Sequence, residues 1–227
     1  MTVAVIITIL ASFLWAITNH IDKYLLCNID NSTSNVKTLL LFSSLVAGIV
    51  LSPIWLFISN FQIKISILSL FFIFIAAVLY ILATYFYFKA LEKNDASIVV
   101  VMFQLIPVFS YIFSLLFFGE ILNTNEIVGS LIIISSAIII SFDFSRSSNK
   151  NKFVALMLMT LSSLMYSLYF ICFDFAMRNG VYSSVAFWYQ VGLLLIGFIL
   201  ISIKSYRVSF IKMIKNNGKK ICVIKYN

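Results

Sequence analysis

Four polar or aromatic side chains stand at helical spacing in an otherwise apolar stretch: Ser12, Trp15, Asn19 and Asp22. Intervals of three, four and three residues put them on one helical face. One reading of that face is ligand contact, with Asp22 as a cation or proton site. The other is that Asn19, His20, Asp22 and Lys23 form the wet end of the helix, Asp22 pairing locally with Lys23. A second set lies between residues 97 and 114. Ser97, Gln104, Tyr111 and Ser114 share a face, with Pro107 beside it. A proline frees a backbone carbonyl and bends a helix. Pro107 is therefore a candidate hinge, and Gln104 either recognises a ligand or bonds to a neighbouring helix. Ala76, Tyr80, Ala83, Thr84 and Tyr87 form a third face. Here Tyr80 is the deep aromatic that can stack on and hydrogen-bond a ligand, and Tyr85 and Tyr87 are candidates for an interfacial belt. Ser163, Tyr166, Phe170 and Asp174 form a fourth face that echoes the first.

These residues sit in a chain that cannot fold in water. Of its 227 residues 62% are hydrophobic and 11% charged, and the mean hydropathy is +1.07. That much apolar surface needs lipid as its solvent. Seven apolar runs are long enough, or nearly so, to cross a bilayer: residues 3–19, 38–58, 67–88, 97–118, 127–142, 153–173 and 185–203. Backbone groups cannot stay unpaired in lipid and no barrel-type alternation is present, so the expected class is all-α, a polytopic membrane protein of about seven transmembrane helices. The first run lacks a basic region ahead of it and reads as a span rather than a removable signal.

Charge sets the orientation. Connections after runs one, three, five and seven carry Lys23, Lys37, Lys89, Lys93, Arg146, Lys150 and Lys152, followed by the basic tail 204–227; the other side carries Lys64 and Arg178. By the positive-inside rule the basic side is cytoplasmic and the N-terminus faces out. The expected location is the cell membrane, multi-pass. The net charge of +8 then reports topology and not nucleic acid. Cys27, Cys172 and Cys222 form no CxxC pair, and His20 is the lone histidine. No metal site or cofactor is expected. Neither HExxH nor GxSxG is present, which removes the usual intramembrane hydrolase signatures. Glu120, after Gly119, reads as a polar turn. Ser44, Gly48 and Ser52 form a small-residue packing face, and Trp188 reads as an interface anchor.

Runs one and six look like copies. Ser12, Trp15 and Asp22 match Ser163, Tyr166 and Asp174 at an offset of about 150 residues. Ser34–Asn35–Val36 and Ser183–Ser184–Val185 follow the two runs. A five-span unit followed by its copy has inverted topology. The expected division is a first unit over 1–142, a partial second unit over 153–203, and the tail.

An ordered set of dipeptides adds to this reading: Ala90–Leu91, Ala96–Ser97, Pro107–Val108–Phe109–Ser110, Phe118–Gly119–Glu120, Asn125–Glu126 and Val128–Gly129, with Trp15–Ala16 in run one. Together they resemble the EamA domain of the drug/metabolite transporter superfamily. That resemblance implies a ten-helix carrier of two five-helix repeats moving a small metabolite or drug-like molecule by alternating access. Substrate contacts are then expected from Trp15, Asn19, Asp22, Tyr80, Gln104, Tyr111, Tyr166 and Asp174, with Pro107 as hinge. Runs eight to ten of that plan are absent from the sequence. The accompanying expectation is a shortened chain that is inactive alone, or one completed by a homodimer partner or a complementing chain. The other expected partners are the lipid bilayer and a small-molecule substrate.

Overall fold

The computed structural model describes residues 2–28, 35–94, 96–142 and 149–224. Every regular element among them is helical: α1 Thr2–Asn28, α2 Asn35–Val46, a π-helical segment Ala47–Leu51, α3 Ser52–Ile58, α4 Ile67–Lys93, α5 Ala96–Met102, α6 Leu105–Phe118, α7 Thr124–Phe142, α8 Asn149–Arg178, α9 Tyr182–Ser202 and α10 Lys204–Ile224. Six stretches are long and apolar enough to cross a membrane: Val5–Cys27, Asn35–Ile58, Ile67–Glu92, Val99–Phe118, Phe153–Arg178 and Tyr182–Ser202. The chain is thus an all-helical polytopic membrane protein. The seventh expected span coincides with α7, whose later side chains lie outside the described residues.

Local chemistry sets the helix ends. The Ser66 hydroxyl oxygen accepts from the Ser69 amide at 3.0 Å and starts α4. Gly119, at φ +68°, ends α6 in the left-handed conformation a glycine adopts freely. Asn123 and Glu126 cap α7 reciprocally: the Glu126 amide donates to Asn123 Oδ1 at 3.1 Å, and the Asn123 amide donates to Glu126 Oε2 at 2.8 Å.

The centre of the bundle is α4, packed against α8, α9 and α2. Ile73, Ala77, Leu91, Val99, Met159 and Val185 are fully enclosed. In contrast, only 6% of the most apolar window of α1 is buried, against 39% in α4. Most of α1 therefore faces lipid, and its attachment rests on a few polar and aromatic contacts and on Leu26, which is buried in the core near its end. The small-residue face of α2 meets α9: a side-chain carbon at Gly48 would lie 2.8 Å from the Leu194 Cα, and one at Gly197 would lie 3.1 Å from Ser44 Oγ. Close approach of two backbones is the usual use of small residues in membranes.

Three features depart from the sequence expectations. First, α1 continues past 19 to Asn28. Its Lys23 does not pair with Asp22. Lys23 Nζ donates to the carbonyls of Leu91 at 2.8 Å and Asn94 at 2.9 Å. Those are orphan acceptors at the C-terminal end of α4, where the helix dipole favours a cation. Second, the run 97–118 is two helices, broken at Phe103–Gln104, a turn ahead of Pro107. Pro107 has no N–H for the Phe103 carbonyl, which accepts from the Ile106 amide at 2.9 Å instead. Third, the basic tail is helical from Lys204 to Ile224.

The contacts also define two ends of the bundle. Lys23 meets the end of α4, and Lys37 at the start of α2 meets Ser205 at the start of α10. At the other end the Ser184 hydroxyl donates to the Gln62 carbonyl, and the Trp188 indole N–H donates to the Ile63 carbonyl. That indole bond ties Trp188 of α9 to the connection between α3 and α4. Helices α1 and α8 run in opposite directions between these ends.

Candidate functional site

The break in the fourth span and the polar stripe of α1 face one another. Ser12, Trp15, Ala16 and Asn19 from α1, with Val100, Phe103 and Gln104 from the break, line a cavity of about 230 Å³. The break positions Phe103, whose ring packs on Trp15 at 5.4 Å between centroids, on Tyr87 at 5.1 Å and on Tyr166 at 6.0 Å. Phe103 is thus the hub that joins α1, α4 and α8.

Beneath this cavity the Tyr87 hydroxyl lies 2.9 Å from Asn19 Oδ1 and 3.2 Å from Asp22 Oδ2, and donates to both. One proton shared between two acceptors leaves each with an incomplete bond, and Asn19 is buried. Asp22 borders a second cavity of about 380 Å³, walled by Leu25, Phe42, Val46, Val50 and Phe88. That volume falls within the rough 300–1,000 Å³ range of small-molecule sites. A carboxylate on a wall that is apolar apart from Ser43 can bind a cation with an apolar body, and it can carry a proton.

Tyr80 and Tyr166 lie deeper. Thr84 commits its hydroxyl proton to the Tyr80 carbonyl at 2.8 Å, so the Tyr166 hydroxyl, 3.0 Å from Thr84 Oγ1, must be the donor there. The ring of Tyr80 stands edge-on to Tyr166, Tyr169 and Tyr189 at 5.5–6.0 Å. The tyrosines therefore form a packed wall behind Phe103 rather than an open lining.

Serines of α8 hold the break open. Ser163 donates to the Met102 carbonyl at 3.3 Å, and the Ser167 hydroxyl is shared between the Ser163 carbonyl at 2.8 Å and the Ile106 carbonyl at 3.0 Å. Ser162 donates to the Ala83 carbonyl of α4 at 2.8 Å. Met102 would ordinarily receive the Ile106 amide, which the break diverts to Phe103. Ser163 supplies a replacement donor.

The remaining candidates lie elsewhere. Pro107 and Tyr111 line a small apolar cavity of about 140 Å³ with Val108, Leu122 and Ile134. Asp174 is at the opposite end from Asp22. It accepts from Arg178 Nε at 2.9 Å, and Arg178 also pairs with Glu120 and lies 4.1 Å over the Phe118 ring. The Ser114 hydroxyl donates to Glu120 at 2.6 Å, and that bond, with the Arg178 guanidinium, holds the Glu120 carboxyl below its usual value. The structure thus brings Trp15, Asn19 and Gln104 together, sets Asp22 one turn below them, and leaves Tyr111 and Asp174 apart. Phe103 escaped the sequence reading because an aromatic in an apolar run carries no polar signal. Ser163 and Ser167, at an i, i+4 spacing, were the legible trace of the serine clasp.

A family model described as the EamA-like transporter family matches residues 2–142, more than half of the chain. No curated protein matches the chain, and no solved structure does. The matched segment runs from α1 through α7 and so includes the polar stripe, the broken span and the Gly119–Glu120 turn. Members of such a family are transporters rather than enzymes. The polar stripe facing a proline-broken span in an all-helical membrane bundle agrees with that match: the chain belongs to the EamA-like transporter family.

Proposed function

We propose that the chain is a secondary transporter of the cell membrane that moves a small amphipathic cation, such as an organic amine, by alternating access. The observation that carries this reading is the hydrogen-bonded chain that runs from Asn19, on the wall of the cavity of Trp15, Phe103 and Gln104, through the Tyr87 hydroxyl to the Asp22 carboxylate. Asp22 neutralises the charge of the cargo or exchanges it for a proton. Trp15 and Phe103 contact its apolar body, and Asn19 and Gln104 read its polar groups. The break at Phe103–Gln104 is the joint about which α6 moves relative to α5, with Pro107 keeping it from closing into a straight helix. Tyr80 and Tyr166 support Phe103 from behind. Tyr111 and Asp174 contact substrate only in a second conformation. Helices α8 and α9 are the opening of a second, inverted unit, a reading supported by the opposite directions of α1 and α8. The basic end of the bundle is cytoplasmic.

The test is flux into proteoliposomes holding the full chain, measured over a panel of amines, amino acids and neutral metabolites. At least one amine is expected to enter, with Asp22→Asn and Trp15→Ala each lowering its flux tenfold or more. Lys64→Gln, at the far end, is expected to leave flux unchanged. No flux of any compound from well-folded protein, or flux indifferent to Asp22→Asn, overturns the reading.

A further inference from the structure

The helix that follows the last apolar span has two faces. Tyr206, Ser209, Phe210 and Met213, at helical spacing, turn toward the bundle, and Tyr206 and Met213 join the hydrophobic core. The outward face mixes apolar and basic groups. Val208, Ile211 and Ile214 are 40%, 44% and 53% exposed, and Lys204, Arg207, Lys212 and Lys215 stand exposed among them. In water such a face would leave three branched aliphatics uncovered. In the bulk of a bilayer it would bury four cations. The one medium that suits both is the boundary between acyl chains and headgroups, where aliphatic side chains dip inward and lysines reach outward.

The same end of the bundle carries further positive charge. Lys37 Nζ donates to Ser205 Oγ at 2.7 Å and lies 5.8 Å from the Tyr206 ring centroid. Lys89 is exposed at the end of α4, its Nζ 4.8 Å from the Tyr85 ring centroid. The described acidic groups at this end are Asp22, turned to its cavity, and Glu92. At the opposite end Lys64 and Arg178 are outnumbered by Glu120, Glu126 and Asp174. The charge of the molecule is therefore concentrated where α10 leaves the last span.

We propose that α10 lies on the membrane surface and that it forms, with Lys37 and Lys89 at its root, a binding surface for the headgroups of anionic phospholipids. Its aliphatic residues anchor the helix in the boundary layer, and its basic residues hold the phosphates of neighbouring lipids. Electrostatic attraction to an anionic surface changes binding about fivefold per basic residue. The surface stands apart from the cavity at the broken span, and its occupancy does not depend on what that cavity carries.

The experiment uses the full chain in a neutral detergent, titrated with phosphatidylglycerol or phosphatidylcholine and read by native mass spectrometry. Phosphatidylglycerol is expected to bind at least tenfold more strongly than phosphatidylcholine, and to weaken as salt rises. The double variant Lys212→Gln, Lys215→Gln alters two exposed side chains and is expected to cut phosphatidylglycerol binding by an order of magnitude. Adding Arg207→Gln should cut it further, whereas Lys64→Gln should not change it. Equal retention of the two lipids overturns the proposal. So does undiminished phosphatidylglycerol binding in the folded double variant, verified by an unchanged thermal midpoint. Complete displacement of the lipid by millimolar inorganic phosphate would make the site one for free anions and overturn it as well.

Discussion

Replacing Gly48 by alanine tests how the α2 to α3 span is held against α9. The added carbon would sit 2.8 Å from the Leu194 Cα and 3.0 Å from its amide nitrogen. Leu194 Cβ is closer still, and carbon atoms at ease are about 3.5–4.0 Å apart, so the two helices must separate by roughly 1 Å or more at that point. The obstacle is the Leu194 main chain together with its Cβ, an atom that no rotamer change moves. Overpacking of this kind costs about 1–3 kcal/mol, and exchanging a helical glycine for alanine returns about 0.5–1 kcal/mol. A net loss of about 1 kcal/mol remains, with about 2.5 kcal/mol as its upper end, at roughly 2–4 °C in the unfolding midpoint per kcal/mol for a chain of this size. Gly197→Ala meets the Leu45 side-chain tip at 2.8 Å, and that tip can swing away, so its cost is expected to be smaller. Gly129→Ala meets nothing within 4 Å and is expected to gain about 0.5 kcal/mol. The assay is thermal unfolding of all three variants and the parent in one detergent. A Gly48→Ala midpoint at or above the parent, or below it by less than that of Gly197→Ala, would refute the close-contact argument.

Two further expectations concern the break and the far end. Pro107→Ala gives residue 107 an N–H, lets the fourth span close, and frees the Ile106 amide to return to the Met102 carbonyl. The midpoint is expected to rise while flux falls. Ser163→Ala, which costs about 0.6 kcal/mol in the parent by the average for such bonds, is expected to cost almost nothing in the Pro107→Ala background. Additive midpoints in that double-mutant cycle would show that the serine does not serve the break. Glu120→Gln tests the Arg178 cluster through pH. The folded carboxyl titrates below its ordinary value of 4.5, so its contribution is fully present above that pH and is lost as pH falls through the depressed folded value. The parent and Glu120→Gln midpoints should therefore differ at neutral pH and converge in acid. A gap that persists well below pH 4.5 would assign the difference to something other than the ionised carboxylate.

Much of this architecture is legible in composition, because lipid imposes one rule on every residue of a span. The helices, the role of Pro107 in breaking the fourth one, and the packing face of Gly48 all follow from rules local to one segment. What could not be read depends on partners distant in sequence. Lys23 could be placed at a helix end, but nothing nearby says that it caps α4 rather than Asp22. The break falls at Phe103 because the missing N–H of Pro107 acts one turn upstream and because Ser163 is present on another helix to satisfy Met102. The echo between Asp22 and Asp174 predicted similar roles, yet Arg178 and Glu120 close around Asp174 and leave Asp22 facing a cavity. Helix α10 was overlooked because lysines dilute its hydropathy, although its pattern of 206, 209, 210 and 213 has the helical period.

The weak seating of α1 also bears on how the molecule is assembled during synthesis. The partners of its Asn19, Asp22 and Lys23 side chains lie 65 to 71 residues ahead: Tyr87 for Asn19 and Asp22, and Leu91 and Asn94 for Lys23. When α1 first reaches the bilayer, none of those groups has yet been made. Asn19, Asp22 and Lys23 must stay at the aqueous margin or beside the insertion machinery until α4 emerges, since polar groups in hydrocarbon are costly. Docking of α1 is then a post-insertional step, and the arrival of Tyr87 supplies the partner that lets the polar stripe move into the bundle.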